Sequence, residues 1–389
     1  MTIPAKSRQA GGADRPFRFG AYHVVAYQSA DAAIAAGELE VQHSPPGMLP
    51  HRLDWLKATA SNRTWWLAVR DLEQRPVASF GVSWFPTRAL PGHRLLRLER
   101  LRFAPDPGPA EAAVQYLVNV ARQDGRTVNL TVEPFFADPV ERDRGRAVLE
   151  EAGLRLAYGT RMYANTVRID LTPQPEEILS RFHPTARRHI RAVTKRQVEI
   201  RLIQDSAIAA RLDEISTETF ARTDASAEQE PWPALIAYCR AHPSLARLVS
   251  LVRTDQLGPK AVVAFALGVN HGDHVEYAAA GSTRPPDLRM PFGYALAWDL
   301  ICWARTVGAR WFDFGGIGAA SAEDDERRGI HGFKKMFGSD VVEVRQEWSF
   351  EARPMRGVWV RAAARLAARV RDFKRPRSHR GRRGPEAPR

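Results

Sequence analysis

Two segments toward the carboxy-terminal end hold residues whose types and spacing can do chemistry. Trp311-Phe-Asp-Phe-Gly-Gly-Ile317 reads as an apolar strand that carries one acid, Asp313, and ends in paired glycines, Gly315 and Gly316. Glycines lack the side chain that would block close approach of a ligand to the backbone, so this strand end is expected to wall a cleft and contact substrate. After a charged loop, Gly329-Ile-His-Gly-Phe-Lys-Lys-Met-Phe-Gly338 sets Phe333 and Phe337 four residues apart. That spacing buries both rings on one helical face and holds Lys334 on a packed support. A lysine held in this way stabilises negative charge developing on a reacting oxygen.

Candidates for phosphate contact lie upstream. Arg187, Arg188, Arg191, Lys195 and Arg196 crowd one helix whose apolar face is Ala186, Ile190 and Val193. Such a basic face meets either phosphate or water, and solvation is its usual fate.

Hydrophobic periodicity supplies the elements that must position these residues. In the first half, strands are expected near Trp65–Arg70, Val77–Trp84 and Leu95–Phe103, a helix over Ala110–Arg122 and a strand at Val128–Val132. A helix stopped by Gly153 follows, then two closing strands, Leu154–Tyr158 and Thr166–Leu171. The second half repeats the theme: helices at Pro175–Phe182 and Thr185–Lys195, a strand at Val198–Ile203, and helices at Ile208–Arg222 and Trp232–Ala241. Strands at Leu248–Arg253, Ala261–Asn270 and His274–Ala280 precede a long helix from Pro291 to Val307. Element order repeats while residues do not.

That order is the order of an acetyltransferase-like α/β unit, giving an α/β fold of two tandem acetyltransferase-like lobes with a basic C-terminal helix and tail. The expected boundaries are a disordered amino terminus over 1–15, lobes over 16–172 and 173–352, a basic amphipathic helix over 353–375 and a disordered tail over 376–389. The Asp313–Ile317 strand, the Phe333, Lys334, Phe337, Gly338 segment and the Thr185–Ala192 helix resemble the Fem-type aminoacyltransferases, most clearly over Pro173–Phe350. The resemblance implies transfer of an amino acid from aminoacyl-tRNA to the peptide stem of a cell-wall precursor, without acyl-CoA or another cofactor. It further implies that Lys334 stabilises the tetrahedral intermediate, with Phe333 as its partner in the motif. Thr219 and Arg222, with Tyr238, match the family's precursor-phosphate pattern, although the text around them departs from it.

An aminoacyl ester is already activated, so positioning an amine and a cation at the developing oxyanion supplies most of what the reaction needs. The amine must also lose a proton, and Asp106, Glu99 and Asp313 remain unranked as acceptors. The rival reading is an acetyl-CoA-dependent acetyltransferase acting on a polysaccharide or small molecule. It requires a loop whose free N–H groups face a pyrophosphate. The two available loops, Ala104–Ala110 and Arg284–Gly293, are interrupted by prolines that remove those donors. A third reading, a binding protein without activity, has no use for Asp313, Gly315, Gly316, Phe333 and Lys334 together.

Composition bounds the rest. At 389 residues with 44% hydrophobic and 26% charged content, the chain has material for two globular cores rather than a disordered or membrane-spanning protein. The first fifteen residues lack an apolar stretch of signal-peptide length, which places the protein in the cytoplasm as an expectation. Cys239 and Cys302 fall within apolar helical patterns and read as buried thiols. The His271-Gly-Asp-His274 run reads as a hairpin turn, and no metal is assigned.

Net charge is +13, but residues 351–389 alone hold 13 Lys and Arg against 3 Asp and Glu, leaving the body nearly neutral. Trp359, Ala363, Leu366, Val370 and Phe373 fall on one face of the expected helix. Such a helix either docks on the body or meets RNA phosphates or the anionic inner face of a membrane, as a peripheral contact.

Overall fold

The structure, a computed structural model, describes residues 16–39, 48–59, 63–157, 163–222, 230–288, 290–317, 328–338 and 340–360, with 362, 363 and 366. The 1–15 and 376–389 segments, Val370 and Phe373 lie outside the described residues.

The first half runs β1 (Phe17–Phe19), β2 (Tyr22–Tyr27), α1 (Ala30–Ala35), α2 (Leu53–Thr59), β3 (Thr64–Asp71), β4 (Pro76–Pro86), β5 (Arg94–Leu101), α3 (Gly108–Gln123), β6 (Thr127–Pro134), α4 (Pro139–Glu151) and β7 (Arg155–Leu156). The second runs β8 (Asn165–Asp170), α5 (Pro175–Arg181), α6 (Pro184–Ala192), β9 (Val198–Leu202), α7 (Ala209–Ala221), α8 (Trp232–Ala241), β10 (Ala246–Arg253), β11 (Val262–Asn270), β12 (His274–Ser282), α9 (Gly293–Thr306), β13 (Trp311–Ile317), α10 (Arg328–Lys335), β14 (Val341–Glu343) and β15 (Trp348–Glu351).

Each half builds one sheet covered by helices. On the first sheet, α3 buries Ala113, Leu117 and Ala121 against strand residues such as Leu96, Leu98 and Val132. On the second, α9 buries Leu296, Leu300 and Ala304 against Val263, Phe312 and Phe314. The β11–β12 turn is the His271–His274 run: Gly272 takes φ +94°, and its N–H donates to Asn270 Oδ1 at 2.8 Å. Glycine suits that left-handed backbone without steric penalty.

Against the expected boundary at 172–173, the lobes exchange strands. Among the described residues the first sheet has the order β1-β2-β3-β4-β5-β6-β15-β7 and the second β14-β8-β13-β12-β11-β10-β9. Thr166–Leu171, expected to close the first lobe, therefore pairs inside the second sheet, beside β13. The reason is a buried polar demand. Thr166 is fully buried, and its hydroxyl donates to Asp313, a bond available only if the strand lies next to β13. In return β15, near the end of the second half, lies between β6 and β7 and inserts Trp348 into the first core.

Because Trp348 is 2% exposed, Trp348→Ala is expected to cost about 3–5 kcal/mol in urea unfolding through the cavity it leaves in the first lobe. A loss below about 1 kcal/mol would show that the returning strand does not hold that lobe together.

Candidate active site

Each sheet contains one parallel pair, and the two pairs differ. Strands β5 and β6 stay paired from Arg94↔Thr127 to Leu101↔Pro134. Strands β12 and β13 pair only from His274↔Trp311 to Glu276↔Asp313 and then part. Beyond that point β13 follows β8, breaking register between Asp313 and Gly316. The second lobe therefore has an opening between Tyr277 on β12 and the Phe314–Ile317 end of β13.

Helix α10 occupies it. The Lys334 side chain is buried, and its Nζ donates to the Gly316 carbonyl at 2.6 Å. Burial pushes its pKa down to about 8, while Asp313 and Glu276 pull the other way and keep it from falling further. Beside it, Phe333 makes edge contacts with Tyr294 at 5.0 Å and Phe337 at 5.2 Å. Phe337 is buried against Phe314, at 4.6 Å. The four-residue spacing thus yields the expected aromatic support.

Asp313 lies directly under this opening rather than in a cleft. It is fully buried, and its Oδ1 accepts the Thr166 hydroxyl and, at 2.7 Å, the Gly315 N–H. That bond fixes Gly315 at φ +67° and aims the following carbonyl at Lys334. The space left by Gly316 is taken by the chain itself: a Cβ there would lie 2.4 Å from Tyr163. Gly316 therefore admits Tyr163, and the close approach it allows is internal.

Tyr163 leads to a group of residues with no signal in the sequence. Its hydroxyl donates to Glu276 Oε1 at 2.8 Å and accepts from Arg345 Nη2 at 2.9 Å. Arg100, from the first sheet, forms an ion pair with the same carboxylate, and His271 reaches Oε2 at 3.3 Å. Burial alone would raise the Glu276 pKa, but Arg100, His271 and Arg345 together hold it well below the usual range. His271 is kept neutral by burial first and by Arg100 second, and its Nδ1 accepts the Leu49 N–H at 3.1 Å. Arg100 sits at φ +52° where β5 loses register with β6, an uncommon conformation for a bulky residue. A cavity of about 190 Å³ opens above this cluster between the lobes, lined by Trp55, Leu235 and Leu267 as well as Arg100, His271 and Glu276. A larger cleft of about 660 Å³ lies on the first lobe around Trp65, Tyr116 and Asp124, away from this chemistry.

The remaining sequence candidates lie elsewhere. Arg222 pairs with Glu218 at 3.0 Å and donates to the Ser282 carbonyl at 2.7 Å. Tyr238 is buried against Trp55, with its hydroxyl 3.5 Å from Asp54, so it joins the second lobe to α2 of the first. Arg188 and Arg191 are exposed on the outer side of α6, and Arg187, half-buried, donates to the Ser180 carbonyl at 3.2 Å. Of the three candidate proton acceptors, Asp313 adjoins Lys334. Glu99 pairs with Arg97, and Asp106 accepts from Tyr22 and from the Gly108 N–H.

A family profile described as an acetyltransferase (GNAT) domain matches residues 180–334, which end on Lys334. Among solved structures, that of FemX superposes with a TM-score of 0.66 at 14% identity, covering 82% of this chain and 96% of that one. The chain shares the fold of FemX, with two GNAT-like lobes. The C-terminal domain of a putative lysylphosphatidylglycerol synthetase from Agrobacterium fabrum gives a TM-score of 0.49 at 10% identity, over 87% of this chain and 97% of that one. A tandem GNAT protein from the clavulanic acid biosynthesis pathway gives 0.48 at 16%, over 85% and 98%. No curated protein sequence matches the chain significantly.

Two substitutions separate the roles of the buried charges. Glu276→Gln leaves Arg100 and Arg345 buried without their counter-charge, and unfolding free energy is expected to drop by about 3–5 kcal/mol. Lys334→Met has the opposite sign. A lysine whose pKa is about 8 when folded and 10.5 when unfolded costs roughly 3 kcal/mol at neutral pH, where both states hold the proton. That cost fades as pH rises from about 8 to 10.5, because the folded state releases its proton first. Urea unfolding should find the variant more stable at pH 7 and the difference gone near pH 10.5; equal stability throughout would mean the ammonium is not desolvated.

Proposed function

We propose that this chain transfers an aminoacyl group from aminoacyl-tRNA to an amine of a peptidoglycan precursor or a related peptide-like acceptor. The observation that carries the reading is the desolvated Lys334 ammonium, held on an aromatic support where β12 and β13 part. In the reaction, the acceptor nitrogen attacks the ester carbonyl and forms the new C–N bond. The carbonyl oxygen becomes an oxyanion beside Lys334, and collapse expels the ribose hydroxyl of the tRNA, the nitrogen losing its proton. A cation in a water-poor site favours that oxyanion far more than it would in bulk solvent. No covalent enzyme intermediate is needed, because the ester is already activated.

Two features favour an aminoacyl ester over acyl-CoA as donor. At α3, where a pyrophosphate would need free N–H groups, Asp106 already accepts the Gly108 N–H at 2.9 Å. At α9, the Phe333 ring covers Gly293, with a ring carbon 3.2 Å from where a Cβ would lie. The exposed Arg188 and Arg191 support contact with the RNA backbone. Arg222 and Tyr238 are occupied by the protein's own groups and are left out of the phosphate contact. Use of charged tRNA places the reaction in the cytoplasm.

The test is incubation of the purified protein with charged tRNA and precursor, and separately with acetyl-CoA. Acetyl-CoA turnover without amino-acid transfer would replace this reading with the acetyltransferase one. Lys334→Met is expected to lower kcat roughly tenfold or more with little change in acceptor KM. In the wild type the rate should decline as pH rises through about 8, where Lys334 loses its charge. Lys334→Arg, which stays charged, should lack that decline; the same alkaline limb in both proteins would remove Lys334 from the mechanism.

A further inference from the structure

After β15 the chain enters a helix over residues 354–360, with 362, 363 and 366 also helical. One side of it is fastened to the first lobe. Arg353 donates to the Arg122 carbonyl at 3.0 Å, Arg356 donates to the Gly125 carbonyl at 2.8 Å, and Gly357 is buried. The opposite side is apolar and bare: Met355 is 78% exposed, Val358 56%, Trp359 69% and Leu366 64%, with Ala362 and Ala363 exposed between them.

At 100° per residue, positions 355, 358, 359, 362, 363 and 366 fall within one arc of about 140°, while 353, 357 and 360 lie opposite. The outward stripe is therefore built by the helical repeat rather than left by chance, and none of the described residues buries it. A soluble protein exposes single apolar residues freely, but a continuous stripe containing a tryptophan marks a surface with a partner.

Charge identifies that partner. From residue 351 onward the chain holds 13 Lys and Arg against 3 Asp and Glu, and the lobe surface at the foot of the helix adds Arg122 and Arg126. RNA phosphates would satisfy the charge but have no use for a Met, Val and Leu stripe. An anionic bilayer uses both: acyl chains take the stripe, headgroups take the arginines, and tryptophan favours the boundary between them. We propose that the outward face of this helix docks on an anionic phospholipid surface, so that the first lobe is held against a membrane. The proposal is independent of which acyl group the second lobe transfers.

The full-length protein is sedimented with phosphatidylcholine vesicles, with and without phosphatidylglycerol, across a salt series. Retention is expected on the anionic vesicles only, weakening as salt rises. Trp359→Ala with Leu366→Ala removes two side chains that touch nothing in the fold's core, and should weaken partitioning at least tenfold with an unchanged melting temperature. Removal of residues 376–389 should weaken binding at low salt and have little effect at high salt. Full retention of the double variant, equal retention on uncharged vesicles, or retention by RNA without retention by either vesicle would each overturn the proposal.

Discussion

The arrangement depends on one half-buried carboxylate. Glu276 gathers Arg100 from the first sheet, His271 from the β11–β12 turn, Tyr163 from the segment entering β8, and Arg345 from the segment leaving β14. Each partner comes from a different part of the chain, so the ion cluster forms only when both lobes and both crossing segments are in place. Buried ion pairs seldom add much net stability, since desolvation offsets their attraction. Their effect here is on geometry, because a group with four partners tolerates little displacement of any of them. Tyr163, tied to Glu276, also fills the space over Gly316, whose carbonyl receives Lys334. The carboxylate that joins the lobes thus also reaches the lysine through two residues, Tyr163 and Gly316.

Lys334 is the converse case, a buried cation with incomplete compensation. It has a backbone carbonyl as hydrogen-bond acceptor, and feels Asp313 and Glu276 without an ion pair to either. Glu276 is already saturated by guanidinium groups, and Asp313 directs its Oδ1 to Thr166 and Gly315. A fully neutralised lysine would gain little from a new negative charge nearby. In the proposed reaction this one would gain more, because an oxyanion would complete what the fold leaves unfinished. The instability and the capacity for chemistry have one cause.

Local pattern made most of the second half legible. The strands at Leu248–Arg253 and Ala261–Asn270 and the helix before β13 follow from periodicity, because each packs against neighbours in the regular repeat of its element, while Phe337 meets Phe333 from the turn just past the end of α10. Allegiance of strands was not legible. Thr166–Leu171 carries the same alternation whichever sheet it joins, and its choice turns on a hydroxyl reaching an acid 147 residues away. Strands β14 and β15 are short, and their partners lie far upstream, so no local turn announces them. The same distance hid Arg100, Tyr163, Glu276 and Arg345, which become a site only through tertiary contact. Small size is the property that matters at Gly316, where Tyr163 fills the space a side chain would take, while Gly315 is set by its left-handed backbone. For Arg222 and Tyr238, residue type alone does not reveal the partners they have in the fold, the Ser282 carbonyl and Asp54.

The strand exchange accounts for the difference between the lobes. Inserting β15 beside β6 gives the first sheet a neighbour on the far side of its parallel pair, and β5 and β6 stay closed along their length. In the second sheet β8 takes the corresponding place beside β13, but the Thr166–Asp313 contact and the bend at Gly315 draw the end of β13 toward β8 and away from β12. One duplicated architecture therefore yields a closed pair that supports packing and an open pair that admits Phe333 and Lys334. In the second lobe a buried threonine and aspartate pull one strand of the parallel pair aside, whereas among the described residues β5 and β6 keep their pairing from Arg94 to Leu101.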